Sequence, residues 1–505
     1  MGNLKTVTDT IDGTQSGIEE FTIDDLNRVT RITQSGNGVT DKRVDMAYDA
    51  ASQLKGVTRY GDLAGTQLVA DSSYDVDVAS LLKELKHFKG TDVLAAYGFD
   101  YDAGNRITSF TSPDGTSTYD YDLTSQLTGT DHSYQDDENY GYDVNGNRTN
   151  DGYDTGTDNR LIIDGKYNYS YDSEGNRTQR VEIATVQVNE YSWDYRNCLT
   201  QVVVKDTNGN VIKTAGYAYD VNNRRIAKEV DPDGDGVATA EVERFIYDGE
   251  HIALTFDGNG TQTHRYLHGP MIDQVLADEN AQGEVLWALT DNQGTVRDVV
   301  EADGTVVNHI TYNSFGEIKS ETNADVNFRF GYTGREFDEE TGQYYYRARY
   351  YDAGVGRFIN EDPIGFAGGD ANLYGYVLND PINATDPSGL IPIKQLLGSD
   401  PTRYSGLPPW AKRQDSYDEQ QRQWALQIVK KNAQHICDTA QYYNVTPDAI
   451  AGAIFWEAIE NPYGFWTRGA NPAGRLTRPS KSGPNDFGIP GKIHTNPGSD
   501  AEIVP

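Results

Sequence analysis

The chain has 505 residues, a formal net charge of −34 and 37% hydrophobic residues. At about 100–200 residues per domain, this length allows two to four domains and a sizeable core, which excludes a small disulfide-stabilised fold. The chain contains 51 Gly and 34 Tyr but 3 Met, a composition that favours short strands and turns over long helices. We therefore expect a mainly β protein.

The sequence gives no indication of a membrane-spanning segment. No run approaches the roughly 18–20 apolar residues that cross a bilayer, and the N-terminus has neither a basic start nor an apolar stretch. No signal peptide is visible, although the abrupt start is typical of a fragment of a longer exported protein. The two cysteines, Cys198 and Cys437, lie far apart in regions of different composition, so neither a disulfide framework nor a metal cluster is expected.

Charge divides the chain near residue 390. Residues 391–505 carry 12 Lys and Arg against 11 Asp and Glu, whereas residues 1–390 carry 31 against 66. The acidity therefore belongs to the first part, and such a surface repels nucleic acid and anionic membranes. Aromatic usage changes at the same place, because 29 of the 34 Tyr precede residue 391 and four of the six Trp follow it. We expect this first part of the chain to bind no nucleic acid.

A Tyr-Asp dipeptide followed by a turn recurs through the first part of the chain. The steps from Asp102 to Asp122, from Asp122 to Asp143 and from Asp172 to Asp194 are 20, 21 and 22 residues, which corresponds to one hairpin per period. Four clear copies begin at Tyr101, Tyr142, Tyr171 and Tyr219, and degenerate copies at Tyr48, Tyr121, Trp193 and Tyr247.

The repeat has a local physical explanation. Asn-Gly and Gly-Asn favour the positive φ of tight hairpins, and the flanking residues alternate with the period of two that is typical of strands. The Asp before each turn can accept backbone N–H bonds, and the Arg behind the turn can pair with its carboxylate. Since one hairpin is marginal alone, successive hairpins should pair into a continuous sheet. The alternative is a set of hairpins in an unrelated β-sandwich.

A second group of motifs follows in residues 265–390. In chain order they are Arg265-Tyr266-Leu267-His268-Gly269, Leu289-Thr290-Asp291-Asn292-Gln293-Gly294, Tyr312-Asn313-Ser314-Phe315-Gly316, Phe330-Gly331-Tyr332-Thr333-Gly334-Arg335, the Tyr344–Asp352 run YYYRARYYD, Gly356-Arg357-Phe358-Ile359, Asp362-Pro363-Ile364-Gly365 and Asp386-Pro387-Ser388-Gly389-Leu390. With the repeats, this series resembles the Rhs/YD-repeat family over about three quarters of the chain.

The resemblance implies an architecture of three parts. Residues 1–264 would form a β-sheet of YD-repeat hairpins that spirals into a hollow shell, and residues 265–390 the Rhs-associated core. Residues 391–505 would be a small, mainly α-helical C-terminal domain that the shell encloses as cargo.

Two Asp-Pro-x-Gly motifs, at Asp362 and Asp386, suggest proteolytic chemistry. Two close carboxylates share a proton, so that one acts as a base while the other acts as an acid. The resemblance implies that they form an aspartyl-type self-cleaving pair, that the scissile bond joins Leu390 to Ile391, and that Arg357 supports the pair electrostatically. The alternative is that both motifs are simply β-turns.

Asp231, Asp233 and Asp235 begin like a calcium-binding EF-hand loop. Its twelfth position is Val242, where a bidentate Glu should stand, so an acidic insertion in the repeat is the alternative. No cofactor is otherwise required.

The last 115 residues show helical periodicity. The apolar segment 449–460 carries Glu457 on the same stripe as Ile450 and Ile454, and desolvation would keep this carboxyl protonated, as a general acid of glycoside cleavage requires. Residues 445–457 resemble the catalytic-glutamate helix of lysozyme-like muramidases, with Asp486 or His494 as a second polar group. A structural helix, or a nuclease or deaminase toxin, is the alternative.

The leading hypothesis is a secreted or cell-surface Rhs-type protein that delivers a toxin to competing cells. It implies a peptidoglycan substrate for the tail, a secretion apparatus and an immunity protein. The alternative is an adhesion protein whose repeats bind glycans and whose tail is not an enzyme.

Overall fold

The computed structural model describes residues 4–390, apart from residues 12 and 235, together with three two-residue strands farther along the chain. The chain divides into two compact units, residues 1–406 and 407–505. Every strand pair within the described residues is antiparallel, and helix is limited there to four 3-10 turns at Thr157–Asn159, Tyr332–Gly334, Gly365–Gly368 and Val377–Asn379. The predicted mainly β fold is confirmed.

The first unit contains two long sheets, and neighbouring strands pair in sequence order in both. The first sheet consists of β1 (Thr6–Ile11), β2 (Thr14–Ile23), β3 (Val29–Gly36), β4 (Val39–Tyr48), β5 (Leu54–Tyr60), β6 (Leu68–Val76), β7 (Leu82–Lys89), β8 (Asp92–Tyr101), β9 (Ile107–Ser112), β10 (Gly115–Tyr121), β11 (Leu127–His132) and β12 (Glu138–Asn139). The second consists of β13 (Tyr153–Thr155), β14 (Leu161–Asp164), β15 (Tyr167–Tyr171), β16 (Arg177–Glu182), β17 (Val188–Trp193), β18 (Leu199–Lys205), β19 (Val211–Tyr219), β20 (Arg225–Asp231), β21 (Glu241–Asp248), β22 (His251–Asp257), β23 (Gln262–His268), β24 (Val275–Asn280), β25 (Val285–Thr290), β26 (Val296–Glu301), β27 (Val306–Tyr312) and β28 (Ile318–Glu321).

Three small sheets follow. They comprise β29 (Glu336–Asp338), β30 (Gln343–Tyr346), β31 (Arg349–Asp352) and β32 (Arg357–Phe358), then β33 (Ala384–Thr385) with β34 (Ile393–Lys394), and in the second unit β35 (Lys492–Ile493) with β36 (Ile503–Val504).

The Tyr-Asp dipeptides lie where strands end in turns. After β8, the Asp102 carboxylate accepts N–H bonds from Gly104 at 2.8 Å and Arg106 at 3.0 Å, and the Arg106 guanidinium donates to it at 2.8 Å. The Tyr101 hydroxyl donates to the carbonyl of Leu82, the first residue after the preceding turn. The predicted roles of Asp and Arg in the turn are confirmed here, and the tyrosine joins this repeat to the one before it.

The same bond from aromatic ring to carbonyl recurs at other repeats. The pairs are Tyr48 with Val29, Tyr121 with Ile107, Trp193 with Arg177, Tyr219 with Leu199 and Tyr247 with Arg225.

The two long sheets share one apolar core. Residues of β3–β6 pack against residues of β23–β26; the fully buried members include Ile32, Val44, Val57, Val69, Leu267, Leu276, Trp287 and Val300. Beside this core, the buried Lys42 forms an ion pair with Glu279 of the second sheet. Separating the two sheets at this point would leave both charges buried without a partner, which is unfavourable. The pair therefore favours the arrangement in which Lys42 faces Glu279.

The four-stranded sheet of β29–β32 is fixed to the second long sheet by buried charges. Arg225 pairs with Glu336 at 2.7 Å and with Asp338, and Arg177 pairs with Asp352 at 2.6 Å. On this sheet a cluster of buried aromatic rings, including Tyr332, Tyr344, Tyr346, Tyr351 and Tyr376, forms a second core. This rigid sheet carries the residues that meet the two Asp-Pro-x-Gly motifs.

Candidate self-cleavage site

Asp362 and Asp386 lie on either side of one guanidinium. Arg349, the first residue of β31, places its Nη2 atom 3.4 Å from Asp362 Oδ2 and 3.5 Å from Asp386 Oδ2. All three side chains are buried. The fold thus places two carboxylates from separate loops beside the same guanidinium.

Asp386 is bound to the peptide that precedes the predicted scissile bond. Its Oδ1 atom accepts a hydrogen bond from the Leu390 N–H at 3.1 Å and from the Ser388 hydroxyl at 3.2 Å. Thr385 pairs with Ile393 across β33 and β34, so the bond after Leu390 lies in the loop that joins these strands. The carboxylate therefore lies beside the chain that it is predicted to cut.

Asp362 lies near the carbonyl group of Leu390, which belongs to the predicted scissile peptide itself. Its Oδ1 atom accepts the Ile364 N–H at 2.9 Å. A β-carbon placed on Gly368 would lie 2.5 Å from Asp362 Oδ2 and 2.8 Å from the Leu390 carbonyl oxygen. The carboxylate oxygen and the carbonyl oxygen therefore face one small space beside Gly368, and glycine leaves that space open.

Burial favours the protonated form of Asp362. Burial raises the pKa of Asp362, the nearby Asp386 and Asp370 carboxylates raise it further, and Arg349 opposes them without reversing the shift. Burial likewise raises the pKa of Asp370. Burial lowers the pKa of Arg349, although the carboxylates of Asp362 and Asp386 counteract this shift. Asp362 is thus suited to donate a proton at a pH where an ordinary aspartate is ionised.

The alternative turn interpretation also describes these motifs correctly. The Gly365 N–H donates to the Asp362 carbonyl at 2.9 Å, and the Gly389 N–H donates to the Asp386 carbonyl at 3.3 Å. Each motif is therefore a β-turn whose first residue is an aspartate. A turn and a paired carboxylate are compatible, because the turn uses the backbone and leaves the side chain available.

Arg357 is placed differently from Arg349. Its Nη2 atom donates to the Asn159 carbonyl and lies 3.5 Å from Asn372 Oδ1, and its guanidinium stacks 4.9 Å from the Tyr374 ring centroid. The supporting role of Arg357 stays a prediction, whereas the structure shows Arg349 between the carboxylates. Sequence reasoning missed Arg349 and Gly368; the arginines of the YYYRARYYD run were the available signal.

In the acidic loop, backbone amides occupy the two carboxylates that the structure describes. Asp231 Oδ1 accepts the Gly234 N–H at 3.0 Å, and Asp233 Oδ2 accepts the N–H groups of Val237 and Ala238 at 2.9 and 3.0 Å. Asp235 lies outside the described residues, so calcium binding stays a prediction. In the described part of the chain, no group of three or more His, Cys, Asp or Glu side chains is arranged to hold a metal ion.

The remaining predicted site residues lie outside the part of the chain that the structure describes. These are Ile391, Glu457, Asp486 and His494, together with the predicted helices around them. Within the described residues, no helix has the length and apolar character needed to cross a membrane.

Comparison with known proteins decides the family. A sequence profile for the teneurin YD-shell matches residues 63–382. The chain belongs to this family. As a YD-shell protein it is also similar to solved structures: it aligns with a Photorhabdus luminescens Tc holotoxin pore with a TM-score of 0.50 and 17% identity, covering 77% of this chain and 21% of that one. At this identity the likeness shows the shared fold alone, and it agrees with the expected Rhs/YD-repeat shell.

Two curated relatives of the YD-shell chain are named as toxins or nucleases. It is 30% identical over 320 residues to the tRNA3(Ser)-specific nuclease WapA of Bacillus spizizenii, covering 61% of this chain and 11% of that protein. It is 30% identical over 327 residues to the double-stranded DNA deaminase toxin A of Burkholderia cenocepacia, covering 58% of this chain and 22% of the relative. The chain thus spans about a tenth to a fifth of the length of these relatives.

Proposed function

We propose that this YD-shell protein cuts itself after Leu390 by aspartyl-type hydrolysis and thereby separates a toxin tail, residues 391–505, from the shell. The observation that carries the proposal is the convergence of Asp362, Asp386 and Arg349 on the Leu390 peptide. The Asp386–Leu390 bond is the same contact that the turn aspartates of the repeats make, so the support comes from the shared Arg349 and from the nearness of Asp362 to the Leu390 carbonyl.

The geometry assigns a role to each carboxyl group. Asp386 is the general base that takes a proton from water, and the protonated Asp362 donates to the Leu390 carbonyl oxygen as water adds to its carbon. The carbon–nitrogen bond to Ile391 then breaks as Asp386 gives the proton it took from water to the nitrogen, and Asp362 recovers its proton from a hydroxyl group of the intermediate. The products are a carboxylate on Leu390 and an amine on Ile391. Arg349 orients both carboxyl groups and balances their charge.

A denaturing gel of the expressed full chain tests this proposal. The wild type should give two bands that meet at residue 390, and Asp362→Asn should give one uncut band. Asp380→Asn is the matched control, because Asp380 begins another Asp-Pro dipeptide and its carboxylate accepts a hydrogen bond from Asn383 at 2.6 Å. A wild type that remains uncut, like Asp362→Asn, would overturn the proposal.

The tail is the effector in this proposal, delivered by a protein that is secreted or held at the cell surface. The names of the two relatives support a toxin and favour nucleic acid as the target, whereas the muramidase hypothesis rests on the sequence around Glu457 alone. An immunity protein and a secretion apparatus would be its partners.

Expression of the full chain in a bacterial host separates the two effector chemistries. A muramidase tail harms the host when an export signal directs the chain to the periplasm, and Glu457→Gln removes the harm. A nuclease or deaminase tail harms the host when the chain stays in the cytoplasm, and it degrades or alters the host's nucleic acid. In that case Glu457→Gln does not reduce the harm. A host unharmed in both compartments would contradict delivery of a toxin and favour an adhesion protein.

A further inference from the structure

Three consecutive residues hold three consecutive carbonyl groups just before the predicted scissile bond. The Arg347 guanidinium donates to the Pro387 carbonyl, the Ala348 N–H donates to the Ser388 carbonyl at 3.2 Å, and the Arg349 Nε–H donates to the Gly389 carbonyl. In each of the three bonds, the donor and acceptor residues are 40 positions apart in the sequence. This cradle, residues 347–349, therefore fixes the main chain of residues 387–389 in a single register.

Arg347 is itself held in place by a buried carboxylate. Its Nη2 atom lies 2.6 Å from Asp273 Oδ1, and Arg335 Nη1 lies 2.9 Å from the same oxygen. Asp273 belongs to the loop between β23 and β24 and is itself buried. The second long sheet therefore sets the position of the Arg347 guanidinium.

The backbone of Arg347 is also unusual. Residues 347 and 348 form the two-residue turn between β30 and β31, and Arg347 has a φ of 53°. A long side chain in the left-handed region is strained, and such residues persist where surrounding contacts fix them. In this turn, the conformation directs the side chain to both Pro387 and Asp273.

The cradle also selects the residue before Leu390. A β-carbon on Gly389 would lie 2.3 Å from the Tyr346 carbonyl oxygen, and Gly389 has a φ of 70°. Any other residue at position 389 would clash and be strained. A shift of the peptide by one residue would place Ser388 or Leu390 at this point, and neither fits.

We propose that Arg347 is the positioning residue that determines which bond is cut, because it locks residues 387–389 in the one register that presents Leu390 to Asp362 and Asp386. This inference rests on the proposed self-cleavage. It adds a specificity element that touches neither the water nor the scissile carbonyl. Its loss should therefore change the rate and the site of cutting while the two carboxyl groups stay intact.

Cell-free translation of the full chain, sampled over time and analysed by intact mass, tests the inference. The variants are Arg347→Ala and Arg347→Lys, and the matched control is Arg329→Ala, which removes a partly buried arginine that pairs with Glu243 away from the cleavage loop. We expect Arg347→Ala to be cut about tenfold or more slowly and to release additional fragments that begin beside Ile391. Arg347→Lys keeps one cationic donor and should recover part of the rate with the single site, and Arg329→Ala should cut at the wild-type bond.

Two kinds of result would overturn the inference. Arg347→Ala cut at the same bond and rate as the wild type removes the positioning role while leaving self-cleavage intact. If Arg347→Ala and Arg329→Ala slow cleavage equally and release no new fragment, the effect is a general one on the fold. The same conclusion holds if Arg347→Lys is cut as slowly as Arg347→Ala. An uncut wild type contradicts the proposed function itself. The mass of the wild-type product alone distinguishes this outcome from the two results above.

Discussion

Asp386 accepts a hydrogen bond from the backbone N–H of Leu390 at 3.1 Å, so one carboxylate of the pair is bonded to the residue whose peptide bond it is proposed to hydrolyse. The contact spans four residues within one turn and requires no movement of the loop. The proposed site is therefore built from the same chain that it would cut. In the proposed reaction, substrate binding would add no separate step, and the rate would depend on the chemistry and on the register of the loop.

Gly368→Ala should stop self-cleavage without unfolding the protein. The added methyl group would lie 2.5 Å from Asp362 Oδ2 and 2.8 Å from the Leu390 carbonyl oxygen, and it would push these two groups apart. Gly216→Ala is the matched control, because its β-carbon would meet only an ordinary contact at 4.0 Å. Cleavage on a denaturing gel and the thermal unfolding midpoint are the measurements. Undiminished cutting by Gly368→Ala would mean that Asp362 does not act on this carbonyl.

The rate of self-cleavage should fall as the pH rises through the raised pKa of Asp362. Only the protonated carboxyl donates to the carbonyl oxygen, and burial with the Asp386 and Asp370 charges extends that form above the usual range of an aspartate. Asp370→Asn removes one of these charges and keeps the oxygen that accepts the Asn372 N–H. The falling limb of the pH–rate profile should then move to lower pH, by a fraction of a unit. An unchanged profile would exclude Asp370 as an influence on the acid.

His309 should stabilise the contact between the two long sheets in a pH-dependent way. Its ring lies 2.6 Å from Asp298 and 2.8 Å from Asp114, in the turn between β9 and β10, and these carboxylates raise the pKa of His309 to about 9. Because the folded value exceeds the ordinary value of about 6.5, the stabilisation is complete below pH 6.5 and is lost as the pH rises through 9.

The effect of His309 is measured against His309→Gln. Urea unfolding gives the free energy of unfolding of the wild type and of the variant at each pH. The difference between the two proteins should be about 1–3 kcal/mol larger at pH 6 than at pH 10. The variant corrects for the other groups that titrate over this range. A difference that is the same at both pH values would contradict the charged state of His309.

The turn aspartates of the repeats should each contribute modestly to stability. Asp102→Ala removes two backbone hydrogen bonds and one from Arg106, which should lower the free energy of unfolding by about 1–2 kcal/mol. Asp100→Ala, at an exposed position on the same strand, is the control and should change little. Equal effects in urea unfolding would show that the turn bonds are replaced by water without loss.

Local features of this protein follow from its sequence, and contacts between distant segments do not. The alternation around Tyr101 and the turn at Asp102 are fixed by neighbouring residues, so the hairpins and their Asp-Arg bonds are predictable. Lys42 and Glu279 are separated by 237 residues, and the packing of the two sheets that joins them has no local signal.

The candidate site shows the same division. Asp362 and Asp386 stand in Asp-Pro-x-Gly motifs that can be recognised in the sequence. Arg349 contacts both carboxylates because the turn between β30 and β31 places it beside them. In the sequence, Arg347 and Arg357 are arginines like Arg349, and nothing indicates which of them contacts the carboxylates. Only the fold shows that Arg349 does so, whereas Arg347 and Arg357 bind backbone carbonyls elsewhere. Gly368 is likewise recognisable as part of the site only when the Leu390 carbonyl is seen beside it.

The most direct test of the account is the mass of the fragments that the full chain produces in water enriched in ¹⁸O. The account predicts two fragments, one that begins at Ile391 and one that ends at Leu390 and carries a single ¹⁸O atom in its new carboxylate, with neither formed by Asp362→Asn or Asp386→Asn. A chain that stays intact, or fragments that meet at another bond, would contradict hydrolysis by this pair of carboxyl groups.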